Sequence, residues 1–493
     1  MHVVAPPARL RGLTLQSFRN VAEATLTLPP EGIVVVGDNG QGKSNLVEAI
    51  GYLRLLRSGR GARDRDCIRH GGTAFHLSAT LEGVPATRVT AAVDRQGRKK
   101  VTLDGRALDR LTEALDALPS VAFSPRDVDL VAGAPQERRR YLDITLALTS
   151  PRYLQALRQY RAALSRRNAA LRDAARGGGS VADREAAAAW EPALAQHGAT
   201  VIAERRAWVA AWGPTFAARC AAIGEPAPTD LRYAGTFAEV ADDALVGALR
   251  ETLERQRAQD LRRGLTQAGP HRDDLTLTLE GHDLRIVGSA GQQRTAAIVL
   301  RLLEAATHHV ATGVMPVLLL DDPFAELDRD RTERILALLD GIGHGQHVVC
   351  VPRPDEIRRA SPGWPVGRCG AAPSRRCHET TARRDRCGAA ADHRRSAPRG
   401  AGGRRTHRGG GARAGDGRLA DGGRGPDRRG DRAAAPPGGR DVGRRGAHAC
   451  VDDGALVDGA PAPRAPGERR GDPPGPAPPL GAPALRSRRA FSL

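Results

Sequence analysis

Eight consecutive residues near the N-terminus have the composition and order of a phosphate-binding loop. Glycines let backbone N–H groups turn inward around phosphate oxygens, and the dipole of a following helix favours the same negative charge. Lys43 supplies a compact positive charge for β- and γ-phosphates, and Ser44 offers a hydroxyl to Mg²⁺. We therefore predict an ATP site, with Lys43 also catalytic. The predicted nucleotide-binding residues are Gly37, Asp38, Asn39, Gly40, Gln41, Gly42, Lys43 and Ser44.

The segments on either side of this loop match the context that such a site requires. Residues 32–36 form an apolar, β-branched run that predicts a buried strand. After the loop, Leu46, Val47 and Ile50 have the spacing of one helix face. A chance glycine-rich turn would lack this order of strand, loop and helix, so the sequence favours a functional loop.

A second apolar run ends in two acids far along the chain. Residues 317–320 read as a buried strand, and Asp321 and Asp322 follow at its carboxyl end, where parallel α/β sheets place their ligands. We predict that Asp321 holds Mg²⁺ and that Asp322 is catalytic, positioning the attacking water. An ordinary polar end to a strand is the alternative, and the complete phosphate loop makes it the weaker one.

The segment at 288–294 contains a second candidate anion site. Ser289 and Gly291 precede a predicted helix and have the character of a helix N-terminus. The run Ser289, Gly291 and Gln292 resembles the signature of the ABC-type ATPases. That resemblance implies that these three residues of one subunit contact the nucleotide held by the phosphate loop of another. Residues 325–328 resemble the loop that crosses the same dimer interface.

The distance between the two half-sites narrows the class further. Lys43 and Ser289 are 246 positions apart, more than a transporter ATPase needs, and the intervening residues lack the sustained heptads of an SMC-type coiled coil. Over about residues 9–358 the chain resembles the RecF recombination-mediator family. The segments that carry this resemblance are L-Q-S-F-R-N (15–20), D-C-I-R-H-G (66–71), F-S-P-R-D (123–127), L-V-A-G-A-P-Q-E-R-R-R-Y-L-D (130–143), residues 160–168 and G-P-H-R-D-D (269–274).

This resemblance implies a fold, an activity and partners. The expected fold is an α/β ATPase head, with a mixed or parallel sheet around the phosphate loop and an inserted, mainly helical lobe. The expected activity is an ATP-dependent homodimeric clamp with slow hydrolysis. It would act on single-stranded and gapped duplex DNA with a RecR-type mediator protein. A DNA-organising SMC-like ATPase and a transporter-coupling ATPase remain the alternatives. The predicted divisions are 1–122 (first half of the head), 123–265 (lobe), 266–358 (second half of the head) and 359–493 (tail).

The net charge of +19 is unevenly distributed. Residues 361–493 contain 27 arginines against 13 acids, which leaves a net charge of only +5 for the first 360 residues. Any DNA surface of the body must therefore be a local patch. In the lobe, two interpretations of the arginines stay open: a groove that follows phosphates, or a solvated helix face. The residues concerned are Arg138, Arg139, Arg140, Arg158, Arg161, Arg166 and Arg167.

The tail and the cysteines complete the sequence-based expectations. The tail is rich in Arg, Gly, Ala and Pro without periodicity; we interpret it as translation in a shifted frame beyond about residue 357, with a disordered basic arm as the alternative. The seven cysteines show no metal-binding spacing, and no secretory signal or membrane-spanning run is evident. We therefore expect a cytoplasmic protein with reduced thiols.

Overall fold

The computed structural model describes residues 7–177, 180–341, 345–353 and 365–368. Its strands are β1 (Arg9–Phe18), β2 (Val21–Thr27), β3 (Gly32–Val36), β4 (Ala74–Glu82), β5 (Arg88–Asp94), β6 (Lys99–Leu103), β7 (Arg106–Ala107), β8 (Ser120–Phe123), β9 (Thr229–Ala234), β10 (Asp274–Leu279), β11 (His282–Asp283), β12 (Val317–Asp321), β13 (His347–Val351) and β14 (Val366–Arg368). Its helices are α1 (Lys43–Leu55), α2 (Asp129–Ala132), α3 (Pro135–Thr149), α4 (Pro151–Gly177), α5 (Val181–Ala188), α6 (Glu191–Ile223), α7 (Leu245–Arg263), α8 (Leu284–Val287), α9 (Ala290–Thr312) and α10 (Arg329–Gly341).

A parallel sheet of five described strands, in the order β14-β3-β13-β12-β8, positions the site. Successive side chains of a strand point to opposite faces. Ile33 and Val35 therefore pack with α1 and the strands that precede and follow it, whereas Val34 and Val36 pack with α3, α6 and α9. Because both faces are covered, the strands are mainly apolar. The predicted strands at 32–36 and 317–320 are confirmed.

A second sheet covers one face of this core. Among the described residues it has six strands in the order β2-β1-β4-β5-β6-β7, and its pairs are antiparallel. The pair Asp104-Gly105 predicts a hairpin turn, and the structure has this turn between β6 and β7, where both residues adopt positive φ (50° and 85°). In a two-residue hairpin, positive φ at both turn residues matches the right-handed twist of the two strands that the turn connects.

The predicted helical lobe is built mainly from α4, α6 and α7. Its own core contains Tyr160 from α4, Leu194 and Ile202 from α6, and Leu249 and Leu253 from α7. Apolar residues recur at three- and four-residue steps in 153–171, and this whole stretch lies on one continuous helix, α4.

Two features of the lobe differ from the sequence-based expectation. The sequence predicts a helical stretch from Ala186 to Ala211, but the structure continues α6 through Pro214 to Ile223. Proline removes one backbone hydrogen bond, but Phe216 and Cys220 beyond it are buried in the central core, which offsets this loss. Strand β9 was also missed; it pairs antiparallel with β10 over its whole length.

The C-terminal strand of the central sheet lies inside the predicted tail. β14 pairs parallel with β3 through Val366, Gly367 and Arg368, beyond the predicted boundary at residue 358. The divisions at 122, 265 and 358 remain predictions. The rest of the tail, with its frame-shift interpretation and its cysteines, lies outside the described residues. The cysteines within the described ranges, Cys67, Cys220 and Cys350, are buried.

Candidate functional site

The predicted phosphate loop connects β3 to α1, as the sequence implied. Gly40 and Gly42 have φ values of 84° and 107°, a left-handed conformation that favours glycine. Within the loop, Gln41 accepts a hydrogen bond from the Asp38 amide at 2.9 Å. The Lys43 ammonium donates to the carbonyls of Gly37 and Asp38 at 2.5 and 3.0 Å. The loop thus carries a buried cation directed at its own carbonyls, and phosphate oxygens fit as its alternative partners.

The paired acids lie beside this loop at the carboxyl edge of the parallel sheet. Burial raises the pKa of the Asp321 carboxyl, and a hydrogen bond from Ser44 and the charge of Arg60 oppose this rise. A partly desolvated carboxylate next to a hydroxyl is a donor set that suits Mg²⁺. Together the loop and the acids line one cleft, whose walls include Asn39, Gly40, Gly42, Lys43, Ser44, Asn45, Pro125, Asp321, Asp322 and Pro352.

Asp322 is held in an uncommon backbone conformation at this cleft. Its φ is 47°, and its amide donates to the Cys350 carbonyl at 2.8 Å. The Arg294 guanidinium donates to the carbonyls of Asp322 and of Pro323, the latter at 3.0 Å. Arg294 is five positions after Ser289, so the signature helix α9 is tied to the acids of its own chain. No pattern in the sequence predicts this contact.

The signature residues form a helix start that lies outside the cleft of their own chain. Ser289 caps α9: its hydroxyl accepts from the Gln292 amide at 3.3 Å, and the Gln292 side chain accepts from the Ser289 amide at 2.9 Å. The Ser289 side chain is exposed. Of the described residues that line the cleft, none is Ser289, Gly291 or Gln292. One protomer therefore brings together the loop and the acids but not the signature.

The comparisons with known proteins agree with this architecture. The RecF/RecN/SMC N terminal domain family matches residues 9–361. The chain is 37% identical over 336 residues to the DNA replication and repair protein RecF of Anaeromyxobacter sp. (strain Fw109-5), covering 67% of this chain and 89% of that protein. It is 38% identical over 361 residues to the RecF of Thermomicrobium roseum, with 68% and 91% coverage.

This chain belongs to the RecF family. A solved structure described as the recombination mediator protein RecF-ATP in the RecFOR pathway is 27% identical, with a TM-score of 0.67, and covers 75% of this chain and 98% of that one. The predicted family, and the predicted ABC-type ATPase fold with a helical lobe, are therefore confirmed.

In this RecF family member the seven arginines singled out in the sequence fall into three groups by exposure: Arg139 and Arg140 are half-buried, and the other five are either buried or exposed. Arg138 is buried and pairs with Asp274 at 2.8 Å, and Arg167 is buried between Asp260 and Glu191. Neither reaches solvent, so both the groove and the solvated-face interpretations are wrong for them. Their partners are remote in sequence, which is why local charge patterning missed them. Arg158, Arg161 and Arg166 are exposed, and their contact with DNA remains a prediction.

The polar residues at 271–274 bond to neighbouring elements of the fold. His271 bonds with the Tyr160 hydroxyl at 2.6 Å, and the Tyr233 hydroxyl donates to Asp273 at 2.5 Å. Burial lowers the pKa of His271 to about 4, so the ring is neutral at pH 7. These residues join α4, β9 and the start of β10. The described residues hold no cluster of His, Cys, Asp and Glu suited to a metal.

The described helices include none that is long and apolar enough to span a membrane.

Proposed function

We propose that this chain is an ATP-dependent DNA clamp of the RecF type, which dimerises when ATP is bound. One observation carries the proposal. The phosphate loop and its carboxylates meet in one cleft, whereas the signature end of α9 is exposed outside that cleft. A second copy of the chain supplies what the cleft lacks. The likeness to a RecF-ATP structure supports ATP as the nucleotide.

Each residue of the cleft has a separate role in this proposal. Lys43 leaves the carbonyls of Gly37 and Asp38 and pairs with the β- and γ-phosphates, since charge-assisted bonds to phosphate are stronger than those to neutral carbonyls. Ser44 and Asp321 hold Mg²⁺, which when bound neutralises phosphate charge. Asp322 accepts a hydrogen bond from the attacking water and orients it. Hydrolysis is slow and regulates the clamp.

The signature residues complete the site of the partner. Ser289 retains a hydroxyl proton to donate while its oxygen accepts from Gln292, and the amides of Gly291 and Gln292 lie in the first turn of α9, where the dipole favours anions. These contacts exist only in the closed dimer. ATP therefore stabilises the dimer, and loss of the γ-phosphate opens it.

DNA and a mediator protein are the proposed partners. The relatives are named as DNA replication and repair proteins, and the solved relative as a recombination mediator in the RecFOR pathway. The first name supports DNA as a partner, and the second supports a further protein of that pathway. Gapped duplex, single-stranded DNA and a RecR-type protein are the partners that we propose. Within the chain, α4 carries exposed Arg158, Arg172 and Arg176 on its outer side. Scarce aromatics, 3% of the chain, favour backbone contacts over base stacking.

A filter-binding titration against gapped duplex tests this function. We expect binding to strengthen when Mg²⁺ and ATP are present and to weaken as salt rises, because phosphate contacts release counterions. Binding that is indifferent to nucleotide contradicts the clamp, and an absence of DNA affinity favours a transporter-coupling ATPase.

Replacing Lys43 with arginine tests the loop. The guanidinium is larger and planar and does not fit a cradle closed around an ammonium. We expect Lys43→Arg to keep the fold and to weaken ATP binding roughly tenfold, the equivalent of one charge-assisted hydrogen bond. Isothermal titration calorimetry measures the effect. Lys100 is an exposed residue of β6. Lys100→Arg is therefore the matched control and should bind ATP as the wild type does.

Replacing each of the two adjacent acids with asparagine tests which of them binds the metal. We expect Asp321→Asn to lose most of the gain in ATP affinity that Mg²⁺ confers, about tenfold for one charged ligand, because the amide is a weaker ligand. Asp322→Asn should retain this gain and lose turnover. Titration with and without EDTA measures the first effect. Equal metal dependence in both variants would show that Asp321 is not the ligand.

A further inference from the structure

The turn between β1 and β2 crosses from the antiparallel sheet to the phosphate loop. The side-chain Nδ2 of Asn20 donates to the Gly40 carbonyl at 3.0 Å, and its Oδ1 accepts from the Asn45 side chain at 2.7 Å. A Cβ added at Gly42 would lie 3.2 Å from the same oxygen. One side chain thus spans the glycine loop and the first turn of α1, and fills the space that Gly42 leaves.

The preceding residue binds the same helix one turn further on. Arg19 donates two hydrogen bonds to the buried Glu48 carboxylate, at 3.0 and 2.6 Å. Ser58 donates a third at 2.6 Å. Burial alone would raise the pKa of Glu48, but the bonds from Arg19 and Ser58 and the charge of Arg60 bring it below its ordinary value. The carboxylate therefore stays ionised and paired, and the turn is anchored to α1.

The backbone at the end of β1 and in the turn that follows it adopts an uncommon conformation. Ser17 and Arg19 both have left-handed φ, at 53° and 54°, which is uncommon outside glycine. Hydrogen bonds from the Arg19 amide to the Cys67 carbonyl (2.7 Å) and from the Arg69 amide to the Ser17 carbonyl (2.8 Å) hold this shape. Strain retained at two residues beside a ligand site indicates that the position of the next side chain matters.

We propose that Asn20 is a positioning residue of the nucleotide site, which holds the phosphate loop in its anion-receiving shape before nucleotide binds. This inference rests on the proposed ATP site and names a residue that neither the loop motif nor the paired acids include. The hydrogen bonds of its side chain go to the loop and to α1, so it acts through Gly40 and Asn45. A loop ordered in advance loses less conformational freedom when phosphate binds, and affinity rises accordingly.

Substitution of Asn20 in the full chain tests the proposal. We expect Asn20→Ala to weaken Mg–ATP and Mg–ADP binding alike, each about tenfold, because the loop surrounds phosphates common to both. The apo melting temperature should not change, since Asn20 is exposed. At saturating ATP the variant should dimerise as the wild type does. A purely structural residue would lower the melting temperature and leave affinity intact.

Two further variants keep the outcome decisive. Asn20→Asp retains the acceptor for Asn45 but faces the Gly40 carbonyl with a carboxylate, and should also bind nucleotide weakly. Ser17→Gly relaxes the left-handed strain in the same turn without touching the loop, and should bind as the wild type does. Wild-type affinity in Asn20→Ala or Asn20→Asp overturns the inference. Failure of the wild-type chain itself to bind ATP contradicts the proposed function instead.

Discussion

Ser289→Arg is expected to bind ATP as a monomer and to remain a monomer. The serine is exposed, lies outside the cleft of its own chain and caps α9. In the proposed dimer the much larger arginine would occupy the space through which Ser289 approaches the partner's nucleotide, so the interface could not close. Overpacking costs about 1–3 kcal/mol and the serine contact with the phosphate is also lost, so the dimer should weaken about 100-fold. Sedimentation velocity with and without Mg–ATP measures this directly.

The chain supplies a close control for the lost helix cap. Ser180 caps α5 with the same reciprocal pattern, its hydroxyl accepting from the Asp183 amide and the Asp183 carboxylate accepting from the Ser180 amide. Each Ser→Arg change removes one cap, about 1 kcal/mol of local stability. Ser180→Arg should dimerise normally. If Ser289→Arg also dimerises at wild-type ATP concentrations, the composite site is refuted and only a generic nucleotide binder remains.

The residues of the cleft were predictable because their signals are local. A strand, a glycine loop and a helix follow one another within residues 32–55, so backbone geometry alone fixes the relation of Gly37 to Ser44. Asp321 and Asp322 were found for a related reason: they end a buried strand, and parallel strands present their carboxyl ends at one edge. That β12 lies two strands from β3 needed the whole sheet.

The contacts that the sequence did not reveal are long-range and chosen by packing. Asn20 is 20 positions from Gly40 and belongs to the other sheet. Arg138 finds Asp274 across 136 positions. Neither pairing leaves a periodic trace, because each depends on how separate layers meet. The same limit explains β9, whose pairing partner β10 follows a 19-residue helix.

Substituting a buried arginine of the lobe should lower stability, whereas substituting an exposed one should not. Arg167 is fully buried on α4 and donates to Asp260 at 2.7 Å, to Thr266 at 2.8 Å and to Glu191 at 3.0 Å. Burial raises the pKa of Asp260 even with Arg167 present, which shows how much that carboxylate depends on its partner. We expect Arg167→Met to lower the free energy of unfolding by roughly 3–5 kcal/mol, since it leaves the buried Asp260 carboxylate without its cation.

Arg158 on the same helix is exposed and provides the opposite case. Arg158→Met should alter the free energy of unfolding by less than about 0.5 kcal/mol, and it should weaken DNA binding and reduce its salt dependence. Urea denaturation and filter binding on both variants give the comparison. Equal stability of the two variants would contradict the structural role of Arg167. If Arg158→Met binds DNA with unchanged affinity and salt slope, the phosphate contacts lie elsewhere than on the outer side of α4.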